Sequence, residues 1–153
     1  MFAVTAERVS RSTRETINER IRRQTDANVA CYASAGREAI DRRLRELDQE
    51  WDIERYLETM APTFTLVGLS LGLSVNRKWL ALPFVIQSFF LQHALQGWCP
   101  PIPILRRLGI RTAEEIAEER YALKALRGDF DGAMESAGGA INRAHAALDA
   151  VRR

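Results

Sequence analysis

Few side chains in the middle of this 153-residue chain have the types and spacing for chemistry: one cysteine, one histidine and a short row of amides and hydroxyls. Cys99 precedes Pro100, and Arg106 and Arg107 follow within two helical turns. Nearby cations lower a thiol's pKa, so thiol-based sulfur handling at Cys99 is one reading; a structural Cys-Pro turn is the other. His93 has no second histidine at ligand spacing. It reads either as a proton relay or cofactor contact, or as a neutral, hydrogen-bonded side chain. Ser88, Gln92 and Gln96 recur every four residues and so share one helical face. This polar stripe would line the path of a small transport or channel-like unit, or fix a helix pair by hydrogen bonds of about 1 kcal/mol or less each. Cys31 and Cys99 lie far apart and outside any CxxC or Cys/His cluster, which gives neither a disulfide framework nor metal-ligand spacing. These residues predict no catalytic constellation, no metal site and no cofactor, hence a protein that is not an enzyme.

The elements that must position these side chains follow from the charge pattern. Residues 1–55 hold eleven Arg against eleven acids, and residues 99–153 hold eight Arg and one Lys against eight acids. Between them, residues 56–98 contain only Glu58, Arg77 and Lys78. The intermixed signs of the flanks leave no one-signed stripe to follow a phosphate backbone, so nucleic acid is not an expected partner. The opening Met1-Phe2-Ala3-Val4-Thr5-Ala6-Glu7-Arg8 reaches charge too early for the apolar core of a signal peptide.

Two apolar segments decide the expected class. Tyr56–Val75 and Trp79–Trp98 each approach the roughly 20 residues that cross a bilayer core about 30 Å thick. Asn76-Arg77-Lys78 joins them, and Trp51, Trp79 and Trp98 fall at their ends, where indoles settle at a membrane interface. Gly68 and Gly72 form a GxxxG pair, with Ser70 and Ser74 on roughly the opposite face. Small residues at that spacing let backbones approach, so one face is expected to meet the hairpin partner and the other a second protomer.

The flanks read as amphipathic helices. Val9, Thr13, Ile17 and Ile21 space a first helix, with a break near Thr25-Asp26-Ala27-Asn28. Ile40, Leu44, Leu47 and Trp51 form an apolar seam before the hairpin, suited to a coiled-coil-like partner. After three prolines, Ile104 to Leu108 reads as an interfacial turn. Thr112 and Glu115 then form a capping box that opens a helix over about Ala113 to Arg127, and Gly128 ends it. Ile116, Leu123, Leu126 and Phe130 form the second seam, and Met134, Ala137, Ile141, Ala144, Leu148 and Val151 space a last helix.

Gly97-Trp98-Cys99-Pro100 followed by Leu108-Gly109-Ile110-Arg111-Thr112 resembles the bacterial inner-membrane hairpin family attached to some rhodanese sulfurtransferases, the YgaP-like transmembrane domain. The resemblance covers about a third of the chain and implies a dimeric membrane hairpin with no chemistry of its own. This chain has no rhodanese domain, so sulfurtransferase activity does not carry over.

The sequence thus predicts an all-α integral membrane protein: an N-terminal amphipathic arm (1–54), a hairpin of two transmembrane helices (55–98), and a C-terminal turn with amphipathic helices (99–153). The expected role is a membrane-embedded assembly or accessory module. It would self-associate as a homo-oligomer in the lipid bilayer of the bacterial inner membrane, alone or within a larger membrane complex. Arg42, Arg43, Arg45 and Arg55 before the hairpin and Arg106, Arg107 and Arg111 after it outnumber Arg77 and Lys78 in its turn, which places both termini in the cytoplasm.

Overall fold

Helix-forming runs punctuated by glycine and proline become, in a computed structural model, a chain of helices. The structure describes residues 7–131 together with 142, 144, 145, 147, 148 and 151. In order these are α1 (Arg8–Arg11), α2 (Glu15–Ala33), α3 (Arg37–Gln49), α4 (Ile53–Ser74), a 3-10 turn (Arg77–Leu80), α5 (Ala81–Gln96), α6 (Ile102–Arg107) and α7 (Ala113–Arg127). Of the residues expected to space a last helix, Met134, Ala137 and Ile141 lie outside the described set. By packing, the chain divides into two units, Met1–Arg23 with Trp51–Ile116 and Gln24–Glu50 with Ala117–Arg153.

The first unit is built around a helical hairpin. Asp52 caps α4 by accepting the Arg55 N–H at 2.7 Å, and α4 and α5 then run antiparallel on either side of the 3-10 turn. Gly68 and Gly72 are buried and let the two strokes close: a Cβ on Gly68 would lie 2.5 Å from Pro83 Cδ, and one on Gly72 2.4 Å from Leu80 Cδ2. Gln87 Nε2 donates across the hairpin to Thr65 Oγ1 at 2.8 Å. At the foot, Val9, Ile53, Leu57, Cys99, Ile102 and Leu105 form one buried cluster, with Tyr56, Phe90 and Ile110 packed against it.

The hairpin is present, but its expected spanning of a membrane is overturned. Among the described residues, no helix is long and apolar enough to cross one. The segment Trp79–Trp98 loses its first residues to the 3-10 turn and its last to a left-handed turn at Gly97, leaving 16 helical residues. Sixteen residues rise about 24 Å, short of a core about 30 Å thick. At 22 residues α4 has the length, but it begins at Ile53 and so carries Glu54, Arg55 and Glu58 in its first turns. Pro62 falls inside the helix, and the hydroxyls of Thr59, Thr63 and Ser74 each fold back on a carbonyl of their own helix. The tryptophans expected at an interface are half-exposed instead. Trp51 meets Tyr56 edge-on, with the Arg55 guanidinium 4.4 Å above its ring.

Two further turns fix the return of the chain. Gly97, at φ 73°, donates its N–H to the His93 carbonyl and ends α5 in the left-handed region. Gly109, at φ 86°, ends α6 in a Schellman pattern, with Gly109 N–H on Arg106 O and Ile110 N–H on Leu105 O. The Leu108-Gly109-Ile110 motif is thus a helix terminator that turns Ile110 into the core. The capping box holds as expected: Thr112 N–H donates to Glu115 Oε2 at 2.9 Å, and Glu115 N–H to Thr112 Oγ1 at 3.2 Å.

In the second unit, α3 buries Ile40, Leu44 and Leu47, and Leu123 on α7 is wholly buried. Of the expected seams, Trp51 and Leu126 stay exposed. Ion pairs of Arg43 with Glu119 (2.8 Å), Arg120 with Asp48 (2.9 Å) and Arg127 with Asp41 (2.5 Å) join α7 to α3. Asn28 also donates to the buried Glu119, which explains why α2 runs through Thr25–Asn28 without the expected break: side-chain polarity that suggested a turn is answered by a partner on another helix.

Gly97 and Gly109 differ in their surroundings, and that difference is testable. A Cβ on Gly109 meets nothing within 4 Å, whereas one on Gly97 would lie 2.4 Å from the Arg8 carbonyl oxygen. Gly109→Ala should therefore cost only the backbone term, about 1–2 kcal/mol, and Gly97→Ala distinctly more. Urea unfolding midpoints of the two variants compare them; equal losses would show that α1 does not press on Gly97.

Candidate functional site

Glu54 lies two residues into α4 from its Asp52 cap, where the helix passes the foot of the hairpin. Its carboxylate accepts Arg8 Nη2 on Oε1 and His93 Nε2 on Oε2, both at 2.8 Å. The His93 hydrogen bond is the largest influence on this carboxyl; with the Arg8 guanidinium it outweighs burial and holds Glu54 below its ordinary value of 4.5. An ionised carboxylate only accepts, so His93 Nε2–H donates. His93 is 2% exposed, and its Nδ1 has no partner among the described residues. His93, read either as a relay or contact or as a hydrogen-bonded side chain, is hydrogen-bonded as half of a buried polar clamp between α4 and α5, while Arg8 ties α1 to the same carboxylate.

Cys99 sits in the buried cluster beneath Val9 and Ile53. Burial pushes its thiol up to about 11, against a lowering contact with the Ile102 backbone, and the negative charge of Glu54 adds to the rise. A thiol that stays protonated at neutral pH is a poor nucleophile. Of the two arginines expected to activate it, Arg107 is exposed and Arg106 is otherwise occupied. Arg106 is fully buried and gives Nη1 and Nη2 to the two Glu115 oxygens at 2.6 and 2.7 Å, and Nη2 also to Asn18 Oδ1 at 2.9 Å. Among the described residues, no cluster of three or more His, Cys, Asp or Glu side chains is arranged to hold a metal ion.

The remaining candidates separate. Gly68 and Gly72 lie inside the hairpin, while Ser70 and Ser74 face outward, Ser74 Oγ donating to Ser70 O. Ser88 and Gln96 are exposed, Gln92 is half-buried, and Ser88 donates only to Phe84 O of its own helix. Of the polar stripe with His93, only the histidine is buried.

The outward surface of the hairpin is apolar. Large hydrophobic side chains from Phe64 to Leu95 stand open, with Leu66 at 64%, Leu73 at 83%, Phe84 at 76% and Leu91 at 61% exposure. Between α4, α5 and the Cys99–Pro101 turn lies a cleft of about 260 Å³, lined by Leu57, Ala61, Phe64, Ile86, Phe89 and neighbours, with no charged residue in its wall. Phe64, Val85 and Phe89 line this cleft and are themselves partly exposed.

Reading residues for chemistry missed Glu54 and took Arg106 only as a cation near Cys99; these are the two charges on which the foot of the hairpin turns. The available signal was position: each borders the charge-free third of the chain, where an ionic side chain next to an apolar run needs a partner. Such a reading would still not have named His93 or Glu115 as those partners. Comparison with protein-family models, with curated proteins and with solved structures finds no match in any of the three. The resemblance to the rhodanese-linked hairpin family therefore rests only on the residues that carry it.

The clamp makes a pH prediction. Glu54 has a folded-state pKa below its ordinary value, so its contribution to stability is complete above pH 4.5 and is lost as pH falls through the folded value. Replacing Glu54 by Gln removes that titration. The urea midpoint of the wild type should fall more steeply below about pH 4.5 than that of Glu54→Gln. Parallel curves would show that Glu54 is not held by His93 and Arg8.

Proposed function

We propose that this chain is a non-enzymatic assembly module that self-associates through the apolar surface of the α4–α5 hairpin. The observation that carries this reading is the open hydrophobic surface itself. At about 150 Å² for each fully exposed large side chain, the hairpin residues from Phe64 to Leu95 present, summed over both flanks, on the order of 1,000 Å² of apolar area, so that one flank offers about half of it. The largest such patch on a typical monomer is about 300–600 Å², and a stable interface buries about 800 Å² per partner.

The occupant argued for is a second copy of the chain. The face is uncharged from Thr59 to Asn76 and again from Trp79 to Gln92, so it offers no ionic complement to a charged partner. Elsewhere the chain is dense in alternating charge, which leaves the hairpin as the surface that best complements itself. An isologous contact then covers the same patch on both copies. Interior close packing through Gly68 and Gly72 supports this reading, because a hairpin closed on itself presents its outer face already ordered.

Sedimentation equilibrium over a wide concentration range tests the proposal. Leu73 is 83% exposed, so Leu73→Asp should leave the monomer fold and its urea midpoint nearly unchanged while weakening association by about tenfold or more. A wild type that stays monomeric at every concentration, or a variant that associates equally well, would overturn it.

A further inference from the structure

We infer that the cleft between α4, α5 and the Cys99–Pro101 turn binds a single uncharged alkyl chain of roughly ten carbons, belonging to a small molecule whose polar end stays outside. The inference is independent of the assembly reading, since it concerns a cavity within one copy. Its first support is the chemistry of the wall. Among the described residues the lining side chains carry no nitrogen, oxygen or charge. The turn contributes Pro100 and Pro101, which have no N–H to leave unpaired in an apolar wall. A polar or charged group drawn inside would lose its water and find no partner, so the wall selects hydrocarbon.

Size and shape narrow the ligand further. An apolar cavity of about 150 Å³ holds a benzene ring, and in proportion a cleft of about 260 Å³ has room for roughly ten carbons. Its lining runs along α4 from Leu57 to Phe64, about 10 Å of helix axis, which suits a chain better than a single ring. The floor is closed, because Leu57, Ala61 and Cys99 are buried. Phe64, Val85 and Phe89 are partly exposed and form the rim. A chain therefore enters past the rim and ends against Leu57 and Cys99.

Isothermal titration calorimetry with straight-chain primary alcohols from pentanol to dodecanol reads the site. Each added methylene that enters the cleft should tighten binding about fourfold. The gain should stop near decanol, once the cleft is full. Ala61→Leu adds an isopropyl group to the floor and should move that limit to chains shorter by about two to three carbons. Met60, half-buried in the wall, works the other way: Met60→Ala removes the thioether arm and should let the gain run to longer chains. Leu73 stands outside the lining, so Leu73→Asp should keep the wild-type limit.

The absence of saturable binding by any of the alcohols overturns the inference. So does affinity that climbs through dodecanol without a limit, which is adsorption on the open hairpin surface and not entry into a bounded cleft. A limit that Leu73→Asp shifts, or that Ala61→Leu or Met60→Ala fails to shift in its stated direction, places the chain elsewhere and overturns the site. Should Ala61→Leu lose its helical circular dichroism, Met60→Ala, at a half-buried position, decides alone: a limit moved to longer chains upholds the inference, and an unmoved limit rejects it. None of these results bears on self-association, which the concentration dependence of the wild type decides separately.

Discussion

Arg106 has no solvent exposure, and its guanidinium is held at one end by four hydrogen bonds. It makes two to the Glu115 carboxylate, one to Asn18 and one to the Ile110 carbonyl at 3.2 Å. The same Glu115 oxygen that meets Arg106 Nη1 also accepts the Thr112 N–H and so caps α7. One carboxylate thus closes a buried ion pair and starts a helix. Burial pushes the Glu115 carboxyl up, but the Arg106 fork and the Thr112 N–H outweigh it and keep it below the ordinary value. Removing one partner of a buried pair of this kind costs about 3–5 kcal/mol, because the other charge is left without compensation.

That pair decides where the hairpin stands. With α6 locked to α2 and to the start of α7, the segment from Gly97 to Arg111 is fixed, and Arg111 O accepts the Ile53 N–H at 3.0 Å where α4 begins. Glu54, the next residue, then reaches His93 and Arg8, and the buried cluster of Val9, Ile53, Leu57, Ile102 and Leu105 fills the space between. Polar attachment is therefore concentrated at the foot. Beyond it the hairpin is held by close approach, Gly68 on Pro83 and Gly72 on Leu80, and by the hydrogen bond from Gln87 to Thr65, and its outer side chains stand exposed among the described residues. A rigid foot and an uncovered apolar face are together what a self-associating module requires.

Much of this was legible in the sequence. Apolar spacing, the Thr112–Glu115 box and Gly128 located α7 to the residue, and the charge-free third located the hairpin. The GxxxG pair was read as a place where backbones approach, in the hairpin or between protomers; Gly68 and Gly72 meet Pro83 and Leu80 inside the hairpin. What failed was the inference from apolar length to membrane span. Apolar composition counts residues, whereas spanning needs continuous helix, and Gly97, the 3-10 turn and the charged first turns of α4 each shortened it. The clamp residues escaped notice because Arg8, Glu54 and His93, like Asn18, Arg106 and Glu115, are brought together by tertiary packing, and no spacing within one helix records that.

The central claim is that the outer face of α4 and α5 is covered by a second copy. Hydroxyl-radical footprinting of the full chain at dilute and concentrated conditions reads that cover residue by residue. The account predicts that Leu73, Phe84 and Leu91 lose reactivity as concentration rises while Leu108, 73% exposed on another element, keeps it. Reactivity at Phe84 and Leu73 that stays constant across the range, or that falls equally at Leu108, would contradict it.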